Sequence, residues 1–301
     1  MIAVEDLRKT YGDFPAVVGS SFEVERGEIF GVVGPNGAGK TTTLKMLSGL
    51  VEPTAGTATV AGRDAGDPET RRELGFLPEE SPLYEDMTPL SYLRFFADLY
   101  DVPRETADER IGDTLDRLEL EHRERRLGDM SKGMKRKVAI ARSLVNDPEV
   151  LVYDEPASGL DPLTTNYVLE FTSELSAAGR TVVFSAHNLF HVESICDRVI
   201  IMNRGEVIAR GTVPEIRARH GVTEYRVYTT VPVAGSEPAG DRHVSVVESM
   251  DAVEEVRAAA DRAGGAVADI RTDEPSLEDV FLDLAGTAPA EDSRAAAAEE
   301  P

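Results

Sequence analysis

Apolar and polar residues alternate from Met1 to Glu5 and from Ser21 to Glu25, with turn signals at Gly12-Asp13 and Arg26-Gly27. That period of two predicts short antiparallel strands with one buried face. Thr54 to Gly62 reads as another such strand bounded by glycines, and Leu74 to Leu77 is a brief apolar run stopped by Pro78. A different pattern marks Ile29–Val33, Val150–Tyr153, Thr181–Phe184 and Val199–Met202, which are apolar without alternation. Such runs suit strands of a parallel sheet buried on both faces. Between about residues 85 and 146 the period lengthens to that of helices, through Leu90, Leu93, Phe96 and Ala97, then Ile111, Leu115 and Leu118. Ser131 is placed to cap a helix running through Met134, Val138, Ala141 and Val145. Helices over about 163–178 and 188–196 separate the last buried strands, a doubly wound α/β order. Asn203-Arg204-Gly205 turns into a closing hairpin strand at Val207–Ala209.

The pattern changes near Arg217–Gly221. Beyond it stand two short alternating strands (Tyr225–Tyr228 and His243–Val247), a helix over Ala252–Ala263 and a closing segment, Pro275–Leu282. The reading is a first domain over residues 1–217, with its helical part at about 85–146, and a small α+β accessory domain over 218–285. Residues 286–301, rich in Ala, Glu, Asp and Pro, read as a disordered acidic tail.

Composition narrows the class. The chain has 301 residues, enough for two domains. It contains no apolar run of about eighteen residues or more, the length that spans a membrane. Its start, Met1-Ile2-Ala3-Val4-Glu5, is not that of a signal peptide. The lone Cys196 allows no internal disulfide, suits a reducing cytoplasm and reads as a small buried hydrophobe. A net charge of -23, with lysine scarce, argues against nucleic-acid binding, and 41% hydrophobic content argues against general disorder. The balance resembles that of proteins working in molar intracellular salt.

The first candidate site is Gly34-Pro35-Asn36-Gly37-Ala38-Gly39-Lys40-Thr41, which fits G-x-x-x-x-G-K-[ST] between an apolar strand and a helix that continues through Thr42. Glycines let backbone N–H groups curl around phosphate oxygens, and a helix N-terminus adds partial positive charge. In such a loop Lys40 reaches the β- and γ-phosphates and the Thr41 hydroxyl ligates Mg²⁺. Tyr11, on the first connection, can stack on a base or pack on the sheet. The second site is the strand end Asp154-Glu155. Asp154 is placed to hold Mg²⁺ through its water shell, and Glu155, pointing differently, can act as general base toward an attacking water.

Further motifs follow in order: Met130-Ser131-Lys132-Gly133-Met134, the turn Ser158-Gly159-Leu160-Asp161, and Ser185-Ala186-His187 after a strand. Together with the phosphate loop they make residues 1–217 resemble an ATP-binding subunit of an ABC transporter. The resemblance implies an α/β P-loop NTPase core with an antiparallel β subdomain and a helical subdomain. It implies two copies facing head to tail as a homodimer, each ATP held between one copy's phosphate loop and the other's signature. Ser131 and the Gly133 amide would touch the partner copy's γ-phosphate. His187 would hydrogen-bond the γ-phosphate and hold the attacking water, Asp161 would belong to the nucleotide site, and Tyr11 would be the adenine-stacking aromatic. Two departures stand out. Lys132 and Met134 replace a glycine and a glutamine of the commonest signature, a form familiar in exporter subfamilies. Glu79 stands where the family usually has a glutamine that bridges Mg²⁺ to the membrane partner; a carboxylate there can still ligate the ion. The stretch Leu77–Thr88 and the ending Pro275–Phe281 resemble ATPases serving separately encoded permeases that export drugs, ions or polysaccharides, which would hold the chain to the inner face of the cell membrane. Soluble relatives fit less well: there is no heptad insertion of the repair type, one cassette rather than the two of the ribosome type, and an appendage that the iron–sulfur assembly type normally lacks. A GTPase would need an Asn-Lys-x-Asp base reader, which is absent.

Overall fold

The computed structural model describes residues 1–221 and 223–286; the expected tail, apart from Gly286, lies outside the described residues. The chain divides into two compact units, Met1–Thr212 and the part from Val213 onward. The expected boundary at residue 217 falls inside a helix.

The first unit begins with β1 (Ile2–Tyr11) and β2 (Phe14–Val24), a hairpin turning at Gly12-Asp13. Both strands run further toward the turn than their alternation suggested. Tyr11 therefore ends a strand instead of lying in a connection, and Phe14-Pro15-Ala16-Val17 is strand as well. Pro15 is tolerated because β2 is the outer strand of its sheet, where a missing N–H leaves no ladder bond unmade. Next come β3 (Ile29–Val33), α1 (Lys40–Leu47), β4 (Ala55–Val60), β5 (Arg63–Asp64) and β6 (Leu74–Leu77). Three helices follow: α2 (Pro89–Leu99), α3 (Arg104–Arg117) and α4 (Lys132–Leu144). The unit closes with β7 (Val150–Asp154), α5 (Pro162–Ala177), β8 (Thr181–Ala186), α6 (Leu189–Ile195), β9 (Arg198–Asn203) and β10 (Glu206–Gly211).

Two sheets result. One is antiparallel, in the order β2-β1-β4-β5; the other runs β10-β9-β3-β8-β7-β6 and is parallel except where β10 returns along β9. Every residue of β3, β7 and β8 is buried, as runs without alternation require. The sheets share a core with α1, in which Ile2, Leu7, Val24, Val32, Leu44, Leu47, Val152 and Ile200 meet. Phe22 and Phe30 stack across it with ring centroids 5.3 Å apart. In the helical part, Thr88 and Ser91 form a reciprocal cap at the start of α2, and Arg94 bonds Asp108 of α3 at 2.6 Å.

The second unit holds α7 (Val213–His220), β11 (Glu224–Thr229), β12 (Glu237–Ala239), β13 (Arg242–Val247), α8 (Met250–Arg262), β14 (Val267–Asp273) and α9 (Leu277–Gly286). Its antiparallel sheet has the order β12-β13-β11-β14. Helix α8 packs on β11 and β13, while α7 packs against α9.

Candidate functional site

The strand order decides where the chemistry sits. β3, β8 and β7 are neighbours, and their register pairs Val33 with Ala186 and Asp154 with Ser185. The carboxyl ends of the three strands therefore lie at one rim, and the phosphate loop, Asp154-Glu155 and His187 leave the sheet side by side. That rim is where open α/β sheets bind ligands.

Two glycines of the loop are required by their surroundings. Gly34 has φ +150°, and a Cβ there would lie 2.2 Å from the Met202 carbonyl oxygen. Gly39 has φ +101°, with the Ala16 carbonyl 2.6 Å from where its Cβ would be. Both positions combine a left-handed conformation with a backbone atom that cannot move aside. Between them Ala38 N–H donates to Pro35 O at 3.2 Å, closing the turn, and Gly37 faces open space. Lys40 opens α1 and is only 6% exposed. Its ammonium donates to the Gly34 and Pro35 carbonyls at 2.8 and 3.3 Å and lies 3.4 Å from Glu155 Oε1. The other oxygen of Glu155 is 2.8 Å from His187 Nδ1. Lys40, Glu155 and His187 thus form one continuous chain of charged and hydrogen-bonding groups, from the loop to a half-exposed imidazole.

Glu155 has φ +48°, a strained value for a residue with a side chain. Strain of this kind costs of order 1–3 kcal/mol and persists only where the surroundings hold it. Ser185 supplies one restraint: its Oγ accepts the Glu155 N–H at 2.9 Å and donates to Asp154 Oδ1 at 2.6 Å. One hydroxyl thereby fixes both acidic residues. Beneath them Tyr153 is fully buried, its hydroxyl 3.0 Å from Ser143 Oγ of α4, and burial pushes the phenol up to about 12.

The donor set suits Mg²⁺. Hydroxyl and carboxylate oxygens are hard ligands, and the ion is usually held by one or two protein oxygens together with phosphates of the substrate. The Thr41 hydroxyl on the first turn of α1 and the buried Asp154 carboxylate match that requirement, and among the described residues no cluster of three or more His, Cys, Asp or Glu forms a closed metal cage.

The remaining predicted residues are dispersed. Tyr11 is 47% exposed, with the Lys9 ammonium 5.1 Å from its ring centre. Ser131 caps α4, accepting from Met134 N–H at 3.3 Å, and Gly133 lies in the first turn, where a Cβ would come 3.1 Å from Thr164. Asp161 caps α5, accepting from the Thr164 hydroxyl and N–H at 2.7 and 3.0 Å, and the hydroxyl bond holds its carboxyl below the usual range. Glu79 lines a groove of about 430 Å³ with Glu80, Lys132 and Lys135. Cys196 packs beside Gly31, is only partly accessible where a fully buried residue was expected, and has its thiol pushed up by burial, which disfavours the thiolate.

Two residues of the site carry more than sequence reasoning assigned them. Ser185 was singled out only as a neighbour of His187. Arg136 was not singled out, although it is buried among acceptors on the site's far side. Its signal was a charge on the apolar stripe of α4, in step with Ala139, Ile140 and Ser143, all of them buried.

Comparisons with known proteins agree with this geometry. A family model described as ABC transporter matches residues 17–158. The linearmycin resistance ATP-binding protein LnrL of Bacillus subtilis is 38% identical over 224 residues, covering 73% of this chain and 72% of the relative. A Nod factor export ATP-binding protein I from Burkholderia orbicola is 37% identical, covering 80% of this chain and 79% of its own. Among solved structures, an ATP-binding subunit of an ABC transporter aligns with TM-score 0.68 and 35% identity, covering 73% of this chain and 93% of that one. The dimeric cassette MJ0796 bound to ADP and Pi aligns with TM-score 0.64 and 27% identity, covering 70% and 98%. Phosphate loop, paired carboxylates and rim histidine on this sheet, with these relatives, lead to one conclusion: the chain belongs to the ABC transporter family, as an ATP-binding subunit that hydrolyses ATP with Mg²⁺.

Proposed function

We propose that this subunit works as a head-to-tail homodimer on the inner face of the cell membrane and drives a separately encoded integral-membrane permease of an export system. The observation that carries the catalytic part is the contact chain Lys40–Glu155–His187 at the rim of the parallel sheet. Lys40 and the loop residues Gly34, Pro35, Asn36, Gly37, Ala38, Gly39 and Thr42 hold the triphosphate of ATP, and Tyr11 stacks on its base. Thr41 and Asp154, with Glu79 as a further ligand, hold Mg²⁺, which neutralises phosphate charge when bound. Glu155 takes the proton of the attacking water, and His187 orients that water and the γ-phosphate. Ser131 and Gly133, at a helix N-terminus, serve the ATP of the partner copy, and Asp161 fixes the turn facing it.

Export is supported by what the relatives are named for, linearmycin resistance and Nod factor export. A docking surface is supported by Tyr84, 55% exposed and edge-on to Phe95 at 5.9 Å, with Leu99 exposed nearby and Met87 on the same segment. Phe95 is not core, and Phe96 is only partly buried. Exposed aromatics beside a polar rim suit a helix of a partner protein. Among the described residues no helix is long and apolar enough to cross a membrane. The acidic surface supports work in molar salt.

Tyr84→Cys gives a cross-linking handle, because Tyr84 is exposed while the native Cys196 is only partly accessible and its thiol is pushed up by burial. Co-expressed with its membrane permease, this variant should cross-link to a cytoplasmic segment of that protein. Cross-links confined to the opposite face of the subunit would refute the docking surface.

A further inference from the structure

Arg136 lies in the second turn of α4 and is only 7% exposed. Its Nε donates to Pro156 O at 2.6 Å. Nη1 donates to Pro78 O at 2.8 Å and Glu79 O at 3.0 Å, with Ser81 Oγ at 3.4 Å. Nη2 donates to Glu155 O at 2.7 Å and Asp154 O at 3.3 Å. A guanidinium has five N–H donors in a planar fork, so this array engages all of them. Burial lowers the group to about 10, with Asp154 and Glu79 opposing the shift, and it remains charged at neutral pH.

The acceptors belong to two separate segments. Residues 154–156 are the last residue of β7 and the start of the turn that carries Glu155; residues 78–81 follow β6 and lead to the aromatic surface at Tyr84. The backbone of Glu155 is held from both sides, its N–H by Ser185 and its carbonyl by Arg136. Its φ of +48° lies in the left-handed region, and these two bonds hold the turn there. The start of α4 adds to the tie. Lys132 Nζ lies over Gly159, 2.2 Å from where a Cβ would stand, and Gly133 abuts Thr164.

We propose that Arg136 is a positioning residue for hydrolysis: it fixes the Glu155 turn and yokes it to residues 78–81, so that movement of that segment re-aims the carboxylate. This rests on the reading of Glu155 as the base. A lysine has the charge but only three donors on one nitrogen, and cannot serve both segments at once.

The test uses the full chain with R136Q, R136K, E155Q and the double variant R136Q/E155Q. ATPase kcat and KM are measured alongside equilibrium binding of a fluorescent ATP analogue and thermal unfolding. R136Q should lower kcat by about 10–100-fold, the penalty of a misplaced catalytic group, with R136K intermediate. Affinity for the analogue should stay within about twofold, because the lost interaction acts on chemistry and not on ground-state binding. In the E155Q background R136Q should lower the residual rate no further, since residues acting as a unit are non-additive. Wild-type kcat in R136Q, affinity falling in step with kcat, or an additive loss in the double variant would each overturn the proposal. If R136Q does not fold, R136K decides by the same split between kcat and binding. A depressed E155Q beside an unaffected Arg136 variant removes only this proposal; a wild-type rate in E155Q removes the base assignment and the proposal with it.

Discussion

The two units of this chain solve the problem of a stable sheet differently. In the first, β3, β7 and β8 are buried along their whole length, and their central residues Val32, Val152 and Val183 have no exposed surface. In the second, β11, β13 and β14 hide only Val227, Thr229 and Ser245, and the unit's other buried side chains come from its helices, Val253, Ala260, Leu277 and Val280 among them. Small units bury a smaller fraction of their surface and are correspondingly marginal. The second unit is also the more acidic per residue and contains no lysine. Among the described residues, the non-glycine positions with positive φ, Glu155 among them, all lie in the first unit.

Core truncations give the largest test of this contrast. Phe184→Ala removes a fully buried ring from β8, next to the strand end that carries His187, and should cost about 3–5 kcal/mol. ATPase activity should fall with it. Leu277→Ala in α9 should cost about 2–5 kcal/mol, enough to unfold the second unit while the first keeps hydrolysing ATP. Urea unfolding followed at both units reads the difference. A single transition moved equally by either substitution would mean that the units do not fold separately.

Salt sharpens the comparison further. The screening length falls from about 10 Å at 0.1 M to about 3 Å at 1 M, so repulsion among surface carboxylates fades as salt rises. From about 0.1 to 3 M KCl, a window spanning those lengths, melting temperature and ATPase rate should both rise. The transition of the second unit should move more. An activity maximum near about 0.1–0.2 M, falling above it, would point to an acidic protein suited to ordinary cytoplasm.

The smallest effect concerns a single cap. Ser276 donates its hydroxyl and N–H to Asp279 Oδ2 at 2.6 and 2.8 Å, holding that carboxyl below its ordinary 3.8. A depressed folded-state value means a contribution fully present above the unfolded value and lost as pH falls through the folded one. Asp279→Asn should therefore lower the melting temperature of the second unit slightly at pH 7, an exposed-pair effect. The difference should vanish below the ordinary carboxylate range. A gap that persists in acid would assign the effect to packing of the new amide.

What the sequence made legible follows the same division. Uninterrupted apolar runs leave no choice of face, so the parallel strands and the rim they define were readable, and with them Lys40, Asp154, Glu155 and His187. Where one face is open the pattern weakens. β14 reads Val-Ala-Asp-Ile-Arg-Thr-Asp and is an edge strand, β12 has three residues including a proline, and neither offered a clear period. The long reach of β2 was hidden by Pro15, which an edge position excuses. Arg136 was hidden for another reason. Its partners are mostly backbone carbonyls, and these leave no mark on the identity of the residues that carry them.

The central claim is that Glu155 is the base of a Mg²⁺-dependent ATPase whose lysine, carboxylate and histidine converge at the carboxyl-end rim of the parallel strands. Glu155→Gln, measured for ATP hydrolysis, ATP binding and association state in the same preparation, tests it directly. The rate should fall by about 10²–10⁴-fold, the span of general acid–base help. ATP binding should persist, and ATP should accumulate in a closed homodimer. Hydrolysis at the wild-type rate in that variant would contradict the account.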